Sequence, residues 1–145
     1  MTTILADWHL GVIAADTSAQ DGDRQWLGER KVFRVGAWLL AFAGSVEERG
    51  AFIQWWRDGR PERTVRFKYS SALAMHATEG LLMFNGCTLA IPVDHGREAI
   101  GTGAKCAMAA YEALGWLDPR MAVRIACKHD AGSRPPVRVY KLKGR

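Results

Sequence analysis

The sequence predicts a layered α+β fold, and two features of its pattern support this class. Short apolar runs bounded by glycine and polar turn residues occur at both ends of the chain and in its middle, which is typical of buried strands. Segments with apolar residues at three- and four-residue spacing lie between these runs, which indicates amphipathic helices. Because strands and helices come in groups, we expect an α+β architecture. The 145 residues contain no linker or repeat and predict a single domain over 1–145.

Two hairpins are predicted in the first third of the chain. The first has its turn at residues 7–9, and the second has its turn at Gly36. A polar loop over 17–29 is expected to connect them. The four predicted strands cover residues 2–6, 11–15, 31–35 and 38–43.

A helix is predicted directly after the second hairpin. Ser45 is a good N-cap, and the acidic residues that follow it suit a helix N-terminus. The helix is expected to stop near residues 58–61, where glycine and proline occur. Trp55 and Trp56 near its end fit either the core or a contact between subunits, and the contact is favoured because tryptophan is enriched at interfaces.

The middle of the chain predicts two or three more antiparallel strands. Residues 70–91 alternate apolar stretches with the turn signals Glu79-Gly80 and Asn85-Gly86. Asn-Gly is a strong signal for a type I′ hairpin, so a turn is expected at residues 85–86.

The last third predicts two helices and a final strand. Apolar residues at helical spacing follow the Gly-Thr-Gly sequence of residues 101–103. Asp118 and Pro119 give an N-cap followed by proline in the first helical position. The predicted elements cover residues 104–115, 119–128 and 137–142.

Composition and charge exclude several classes of protein. With 48% hydrophobic and 24% charged residues, the chain has the composition of an ordinary globular protein. No apolar run approaches the roughly 18 residues of a membrane helix, and no basic segment precedes an apolar one at the start. We therefore expect a cytoplasmic protein without a membrane partner. The net charge is +5, but most basic residues are scattered, which favours a solvated face over a nucleic-acid groove.

The cysteines and histidines predict no metal site. The three cysteines are odd in number and show neither CxxC nor Cys/His ligand spacing. The four histidines are scattered along the chain. We expect reduced thiols, no metal and no cofactor.

The first three residues, Met1-Thr2-Thr3, carry the strongest chemical signal. A small residue after the initiator methionine permits removal of Met1, which would expose Thr2 as the N-terminus. An N-terminal threonine combines a hydroxyl nucleophile with its own amine base. Thr3 is an alternative nucleophile, but its exposure would require a further cleavage.

Six short motifs in a fixed order span most of the chain. They are Thr-Thr-Ile at 2–4, Val-Ile-Ala-Ala-Asp at 12–16, Arg-Lys-Val at 30–32, Phe-Ala-Gly-Ser-Val at 42–46, Ala-Ile-Gly-Thr-Gly at 99–103 and Asp-Ala-Gly-Ser at 130–133. Together they resemble the N-terminal-nucleophile (Ntn) hydrolases of the proteasome β-subunit and bacterial HslV type. The resemblance implies a four-layer αββα sandwich. Where the family has a second long helix, this chain has only the short basic segment 61–69, which implies a reduced helical layer.

The resemblance implies a catalytic set around Thr2, which would be the nucleophile with its free α-amine as the base. Lys31 matches the family lysine beside the threonine, and Asp16 matches the aspartate that pairs with this lysine. Gly44 matches the glycine whose backbone N–H helps to form the oxyanion hole. Taken without the resemblance, Asp16 fits a turn that ends a strand, and Lys31 fits an exposed strand position.

Three further positions complete the implied catalytic set. Thr102 stands where the family has the serine of Gly-Ser-Gly, and it keeps the hydroxyl with a narrower choice of rotamer. The alternative for Thr102 is a helix N-cap. Asp130 and Ser133 match a polar pair that closes the hydrogen-bond network around the N-terminus, and the alternative for this pair is a polar turn before the last strand.

Alignment from the lysine and the oxyanion glycine also implies a substrate pocket. Its predicted residues are Ala19, Glu29, Phe42 and Val46. These residues imply a moderately apolar pocket with one acid nearby.

The function implied by the resemblance is that of a self-compartmentalising threonine endopeptidase that hydrolyses unfolded proteins inside a homo-oligomeric ring. An ATP-dependent unfoldase is an expected partner, because the chain itself has no Walker motif. Two alternatives stay open. One is a catalytically silent ring subunit or scaffold, which Thr102 and the reduced helical layer favour. The other is an Ntn amidohydrolase that acts on a small amide.

Overall fold

The computed structural model describes residues 2–21 and 23–144, and over these residues the chain forms eleven strands and three helices. The strands are β1 (Ile4–Asp7), β2 (Val12–Ala15), β3 (Ser18–Asp21), β4 (Arg24–Leu27), β5 (Val32–Val35), β6 (Trp38–Ala43), β7 (Arg66–His76), β8 (Gly80–Cys87), β9 (Ile91–Pro92), β10 (Arg97–Ile100) and β11 (Arg138–Lys141). The helices are α1 (Val46–Arg57), α2 (Ala104–Ala113) and α3 (Pro119–His129). Within the described ranges, none of the helices has the length and apolar character needed to cross a membrane.

Two antiparallel sheets form the centre of the molecule. One has the strand order β10-β1-β2-β11, and the other has the order β5-β6-β7-β8-β9. Helices α2 and α3 pack on the outer face of the first sheet, and α1 packs on the outer face of the second. The result is the four-layer αββα arrangement, so the α+β prediction is confirmed.

The alternation of side chains along β1 connects two of these layers. Ile4 faces the second sheet, where Leu39 and Leu73 are also fully buried. Leu5, the next residue, faces the helices and packs in one cluster with Tyr111. Because successive side chains of a strand point to opposite faces, a strand that is apolar throughout is buried on both sides.

Local capping signals set the starts of α1 and α3 as predicted. The Ser45 hydroxyl accepts a hydrogen bond from the Glu48 backbone N–H at 3.1 Å. The Asp118 carboxylate accepts one from the Met121 backbone N–H at 2.9 Å, and proline follows it. Each bond satisfies one of the backbone donors that a helix N-terminus leaves free.

Helix α1 covers its sheet alone, and an aromatic cluster fills the space beside it. Trp55 and Trp56 are each 6% exposed and pack edge-on against Phe84 of β8, and Phe52 contacts both of them. The prediction that these tryptophans form a subunit contact is therefore wrong, because the chain buries them in its own core. Residues 58–65 contain no helix, so the reduced helical layer is confirmed. Aromatic rings bury large areas, which lets a few side chains replace a packed helix.

The predicted polar loop over 17–29 is wrong in part, because β3 and β4 form a small hairpin there. The residues of β4 are all exposed, including Trp26 at 42% and Leu27 at 57%. Such a hairpin buries no apolar face, and apolar periodicity is the signal by which strands are predicted.

The hairpin turn predicted at Asn85-Gly86 is also wrong. Both residues lie inside β8, and the turn between β7 and β8 falls at residues 77–79. Gly86 has a φ of +73° and lies opposite the register irregularity between Arg66 and Ser71. The left-handed conformation that the Asn-Gly pair predicts does occur, but it serves a bulge instead of a turn.

A polar cluster is buried at the end of β1 that lies away from Thr2. The Asp7 carboxylate is fully buried and accepts hydrogen bonds from Arg97 Nε at 3.0 Å and Tyr111 Oη at 2.6 Å. It also accepts one from the Leu10 backbone N–H at 3.0 Å, which closes the β1–β2 turn. The Trp116 ring covers Arg97, with the guanidinium carbon 5.0 Å from the ring centroid.

These contacts shift the pKa of both acids in the cluster. Burial alone would raise the pKa of Asp7, but the bonds from Tyr111 and Leu10 and the charge of Arg97 hold it below its ordinary value of 3.8. Burial and the bond to Asp7 raise the pKa of Tyr111 well above its usual range. Asp7 is therefore an ionised, fully paired carboxylate at neutral pH.

Candidate active site

The two N-terminal threonines lie where β1 enters its sheet, between β10 and β2. Thr2 is 8% exposed and Thr3 is fully buried. The turn of residues 101–103 packs directly against them, because a Cβ at Gly101 would lie 2.0 Å from the Thr2 carbonyl oxygen and one at Gly103 would lie 1.9 Å from Thr3 Oγ1. Only glycines allow this approach, so the two glycines of the Gly-Thr-Gly sequence let the turn pack directly against residues 2 and 3.

A buried ion pair lies beside the threonines. Asp16 Oδ1 accepts hydrogen bonds from Lys31 Nζ at 2.7 Å and from the Thr3 backbone N–H at 2.9 Å. Asp16 Oδ2 accepts from the backbone N–H groups of Ser18 and Arg134, at 3.3 and 3.2 Å. The exposed fractions of the Lys31 and Asp16 side chains are 5% and 0%. A carboxylate with this many donors is fixed in place and fixes the lysine in turn.

The surroundings of Lys31 favour its neutral form more than bulk water does. Burial lowers the pKa of Lys31, and the charge and hydrogen bond of Asp16 offset only part of that effect. Lys31 lines the same cleft as Thr2. The side chain can therefore present an ammonium group to a nearby oxygen and can give up a proton at lower cost than an exposed lysine.

A second hydrogen-bond network joins the Thr2 nitrogen to Asp130. The Thr2 backbone N–H donates to Thr102 Oγ1 at 3.4 Å, and Thr102 Oγ1 donates to Asp130 Oδ2 at 2.7 Å. Ser133 Oγ also donates to Asp130 Oδ2. Because the single hydroxyl hydrogen of Ser133 is used there, the Thr3 hydroxyl is the donor in the 2.6 Å contact between Thr3 and Ser133. Both threonines are thus connected to one carboxylate.

The alternative reading of Thr102 as a helix N-cap is wrong. The N-cap of α2 is Gly103, and no side chain caps this helix. The Thr102 hydroxyl instead bridges the Thr2 nitrogen and Asp130. Thr3 is fully buried and its hydroxyl is bonded to Ser133, whereas Thr2 lines the cleft that contains Lys31.

Gly44 follows β6 and lines the cleft opposite the ion pair. Its φ is +154°, and a Cβ on this residue would lie 1.8 Å from Ser70 Oγ. A side chain is therefore excluded by both conformation and space. Gly44 therefore lines the same cleft as Thr2 and Lys31 with main-chain atoms alone, which is what an oxyanion hole built on a backbone N–H requires.

The cleft in front of Thr2 has a volume of about 300 Å³. Its walls come from β3, β4, β6 and the first turn of α1. Among the described residues, no group of three His, Cys, Asp or Glu side chains is arranged to hold a metal ion.

Comparisons with known proteins identify this architecture. No protein-family model and no curated protein sequence matches the chain. HslV from Trypanosoma brucei superposes with a TM-score of 0.77 at 25% identity, over 96% of this chain and 98% of that one. The chain has the HslV-type fold. BPH from Thiobacillus denitrificans superposes with a TM-score of 0.69 at 17% identity, over 99% of each chain. BPH in complex with epoxomicin gives the same TM-score and identity, over 99% of this chain and 100% of that one.

The HslV-type fold brings the predicted site residues together. Five side chains of the predicted catalytic set belong to the two hydrogen-bond networks that meet at residues 2–3; they are Asp16, Lys31, Thr102, Asp130 and Ser133. The four predicted pocket residues all line the cleft; they are Ala19, Glu29, Phe42 and Val46. Met1, whose removal was predicted, lies outside the described residues.

Sequence reasoning missed Arg49, a basic residue that lines the cleft. Arg49 Nη1 lies 2.5 Å from Glu29 Oε1 and 3.1 Å from the Arg30 carbonyl oxygen. Burial alone would raise the pKa of Glu29, but the hydrogen bond and charge of Arg49 hold it below its ordinary value. The expected acid is therefore neutralised by a cation. A basic residue one turn into α1, on the same face as Val46, was the signal available in the sequence.

Proposed function

We propose that the chain is an N-terminal threonine peptidase whose nucleophile is the Thr2 hydroxyl after removal of Met1. The observation that carries this proposal is the position of Thr2, whose nitrogen bonds to Thr102 and which lines a cleft that also contains Lys31 and Gly44. On this proposal residues 1–145 act as one Ntn-hydrolase domain. It needs no cofactor or metal, because the threonine supplies both nucleophile and base.

The first step forms an acyl-enzyme. Thr2 Oγ attacks the peptide carbonyl carbon, an Oγ–C bond forms, and the carbonyl electron pair moves to the oxygen, which faces the Gly44 backbone N–H. The hydroxyl proton passes to the Thr2 α-amine, whose ordinary pKa of about 7.7 to 8.0 suits proton transfer near neutrality. As the C–N bond breaks, this proton goes to the departing amine.

The second step returns the enzyme to its starting state. Water attacks the ester carbon, gives its proton to the α-amine, and the Oγ–C bond breaks as Thr2 Oγ takes that proton back. Lys31 acts as a fixed cation that favours negative charge on Thr2 Oγ and keeps the neighbouring amine neutral by repulsion. Asp16 positions Lys31, while Thr102, Asp130 and Ser133 position the amine.

The likeness to HslV supports further parts of the proposal. We propose a homo-oligomeric ring that encloses the threonines, with unfolded protein chains as substrates and an ATP-dependent unfoldase as a partner. A cytoplasmic location fits such a partnership. The epoxomicin complex of BPH, a protein of the same fold, indicates a probe for the site.

The test combines the mature N-terminus with covalent capture. We expect the intact mass of the purified chain to lack Met1 and to rise by one inhibitor when a peptide epoxyketone is added. Thr2→Ala should lose both labelling and cleavage of peptides, while Thr2→Ser and Thr102→Ser should keep them because each retains a hydroxyl. Native mass spectrometry of the same samples measures the number of subunits and so tests whether the chain forms a ring.

Three results would contradict parts of this proposal. Retained Met1 together with no labelling would favour a silent ring subunit or scaffold. Hydrolysis of small amides without cleavage of peptides would favour an amidohydrolase. Equal peptide cleavage by wild type and Thr2→Ala would exclude Thr2 as the nucleophile.

A further inference from the structure

A second cleft begins at Thr2 and has a volume of about 280 Å³. Among the residues that the structure describes, Thr2 is the one that it shares with the cleft containing Lys31 and Gly44. Its other walls are residues of β6, β7 and the turn before α2; they are Ala43, Tyr69, Ser71, Gly101 and Thr102. A peptide that crosses Thr2 can therefore occupy one cleft on each side of the bond that is cleaved.

Tyr69 is the unusual residue of this second cleft. Its side chain is 86% exposed, although Ser70 and Phe67 in the same strand, β7, are only 3% and 5% exposed. Leu89, another exposed apolar side chain at 65%, lies outside both clefts. An exposed aromatic ring beside a reactive group offers a contact surface with little conformational entropy to lose.

The backbone holds Tyr69 firmly on both sides. The Lys68 backbone N–H donates to both carboxylate oxygens of Glu48 at 3.1 Å, which ties the segment to the first turn of α1. On the other side, buried Ser70 fills the space where a side chain of Gly44 would lie. Tyr69 lies within the register irregularity between Arg66 and Ser71, and its side chain is exposed. Bulges commonly redirect a side chain in this way next to an active site.

We propose that Tyr69 is a specificity-determining residue that contacts the first residue on the leaving side of a peptide substrate. This inference rests on the proposed function. The acyl side belongs in the first cleft, because Gly44 must face the carbonyl oxygen, and the leaving amine then points into the second cleft. Lys68 Nζ lies 5.4 Å from the Tyr69 ring centroid. The apolar ring with this cation favours an aromatic or aliphatic leaving-side residue over a basic one.

The test uses internally quenched peptides that share one acyl side and differ only in the first leaving-side residue, which is Phe, Gly or Lys. We expect Tyr69→Ala to lower kcat/KM for the Phe peptide about three- to ten-fold, the range of a single aromatic contact, and to leave the Gly peptide unchanged. Tyr69→Phe should behave like wild type, and Leu89→Ala is the control for an exposed apolar side chain. A peptide epoxyketone occupies only the acyl side, so its labelling rate should be the same in all these variants.

Other outcomes would overturn the inference. Equal losses for the Phe and Gly peptides, or slower epoxyketone labelling of Tyr69→Ala, would show that Tyr69 supports the site without contacting the leaving side. If Tyr69→Ala changes the oligomer mass measured by native mass spectrometry, the Tyr69 side chain forms a contact between copies of the chain. If the wild-type chain shows neither labelling nor cleavage, the proposed function fails and the inference falls with it.

Discussion

Two buried carboxylates at opposite ends of the β1–β2 hairpin have similar partners and different surroundings. Asp7 and Asp16 are both fully buried, and each pairs with one basic side chain. The partner of Asp7 is covered by the Trp116 ring, and Tyr111 takes up the same carboxylate oxygen. The partner of Asp16 lines an open cleft next to Thr2.

On the proposed function, this difference separates a structural ion pair from a catalytic one. Both acids are satisfied by hydrogen bonds, so burial and pairing alone do not mark a catalytic group. What distinguishes Lys31 is that it faces a space a substrate can enter. We therefore expect disruption of the Asp16 pair to affect chemistry and disruption of the Asp7 pair to affect stability.

The largest expected effect separates the two basic partners. On the proposed function, Lys31→Met should lower peptide cleavage about 1,000-fold, because a charge proposed to stabilise the Thr2 oxygen is lost from a preorganised site. Arg97→Met makes the same kind of change at the other pair and should keep full activity in the folded fraction. Initial rates, normalised to folded protein by circular dichroism, measure both. If both variants lost comparable peptide cleavage activity, the proposed difference between the Asp16 pair and the Asp7 pair would be wrong.

A smaller effect is expected when the structural pair is broken. Asp7→Asn should lower the free energy of unfolding by about 2 to 3 kcal/mol, since buried hydrogen bonds to a charged group are lost. The control is Asp58→Asn, because Asp58 forms an exposed pair with Arg63 that should contribute less than about 1 kcal/mol. Urea denaturation measures both differences. A stability unchanged by Asp7→Asn would mean that this cluster contributes nothing to the fold.

The smallest effect concerns acid pH and again involves Asp7. Its pKa is lower in the folded protein than its ordinary value of 3.8, so the folded state binds this proton less readily than the unfolded chain. The stabilisation is thus present above pH 3.8 and is lost as the pH falls through the folded-state value. Unfolding midpoints between neutral and acid pH should fall more steeply for wild type than for Asp7→Asn. Parallel curves would contradict the assignment.

The sequence predicted those elements whose signals are local. Ser45 and Asp118 act as caps through bonds to residues three positions away, so short patterns were enough for α1 and α3. The site residues were predicted from a resemblance that spans most of the chain, since they come from distant motifs that the fold brings together.

The residues whose roles were missed all depend on partners that are distant in the sequence. Asp7 looked like a turn residue because Arg97 and Tyr111 lie 90 and 104 positions away. Gly86 looked like part of a turn because the irregularity that uses its conformation is in another strand. Arg49 was missed as a cleft residue because its partner, Glu29, lies 20 positions away.

The position of β1 between two other strands has a consequence for the order of events on the ribosome. Thr102 follows Thr2 by 100 positions, and Ser133 lies 130 positions beyond Thr3. At about 5 to 20 residues per second, roughly 5 to 20 seconds separate the synthesis of Thr2 from that of Thr102. On the proposed function, the nascent chain therefore carries its nucleophile before it contains the residues that position the amine.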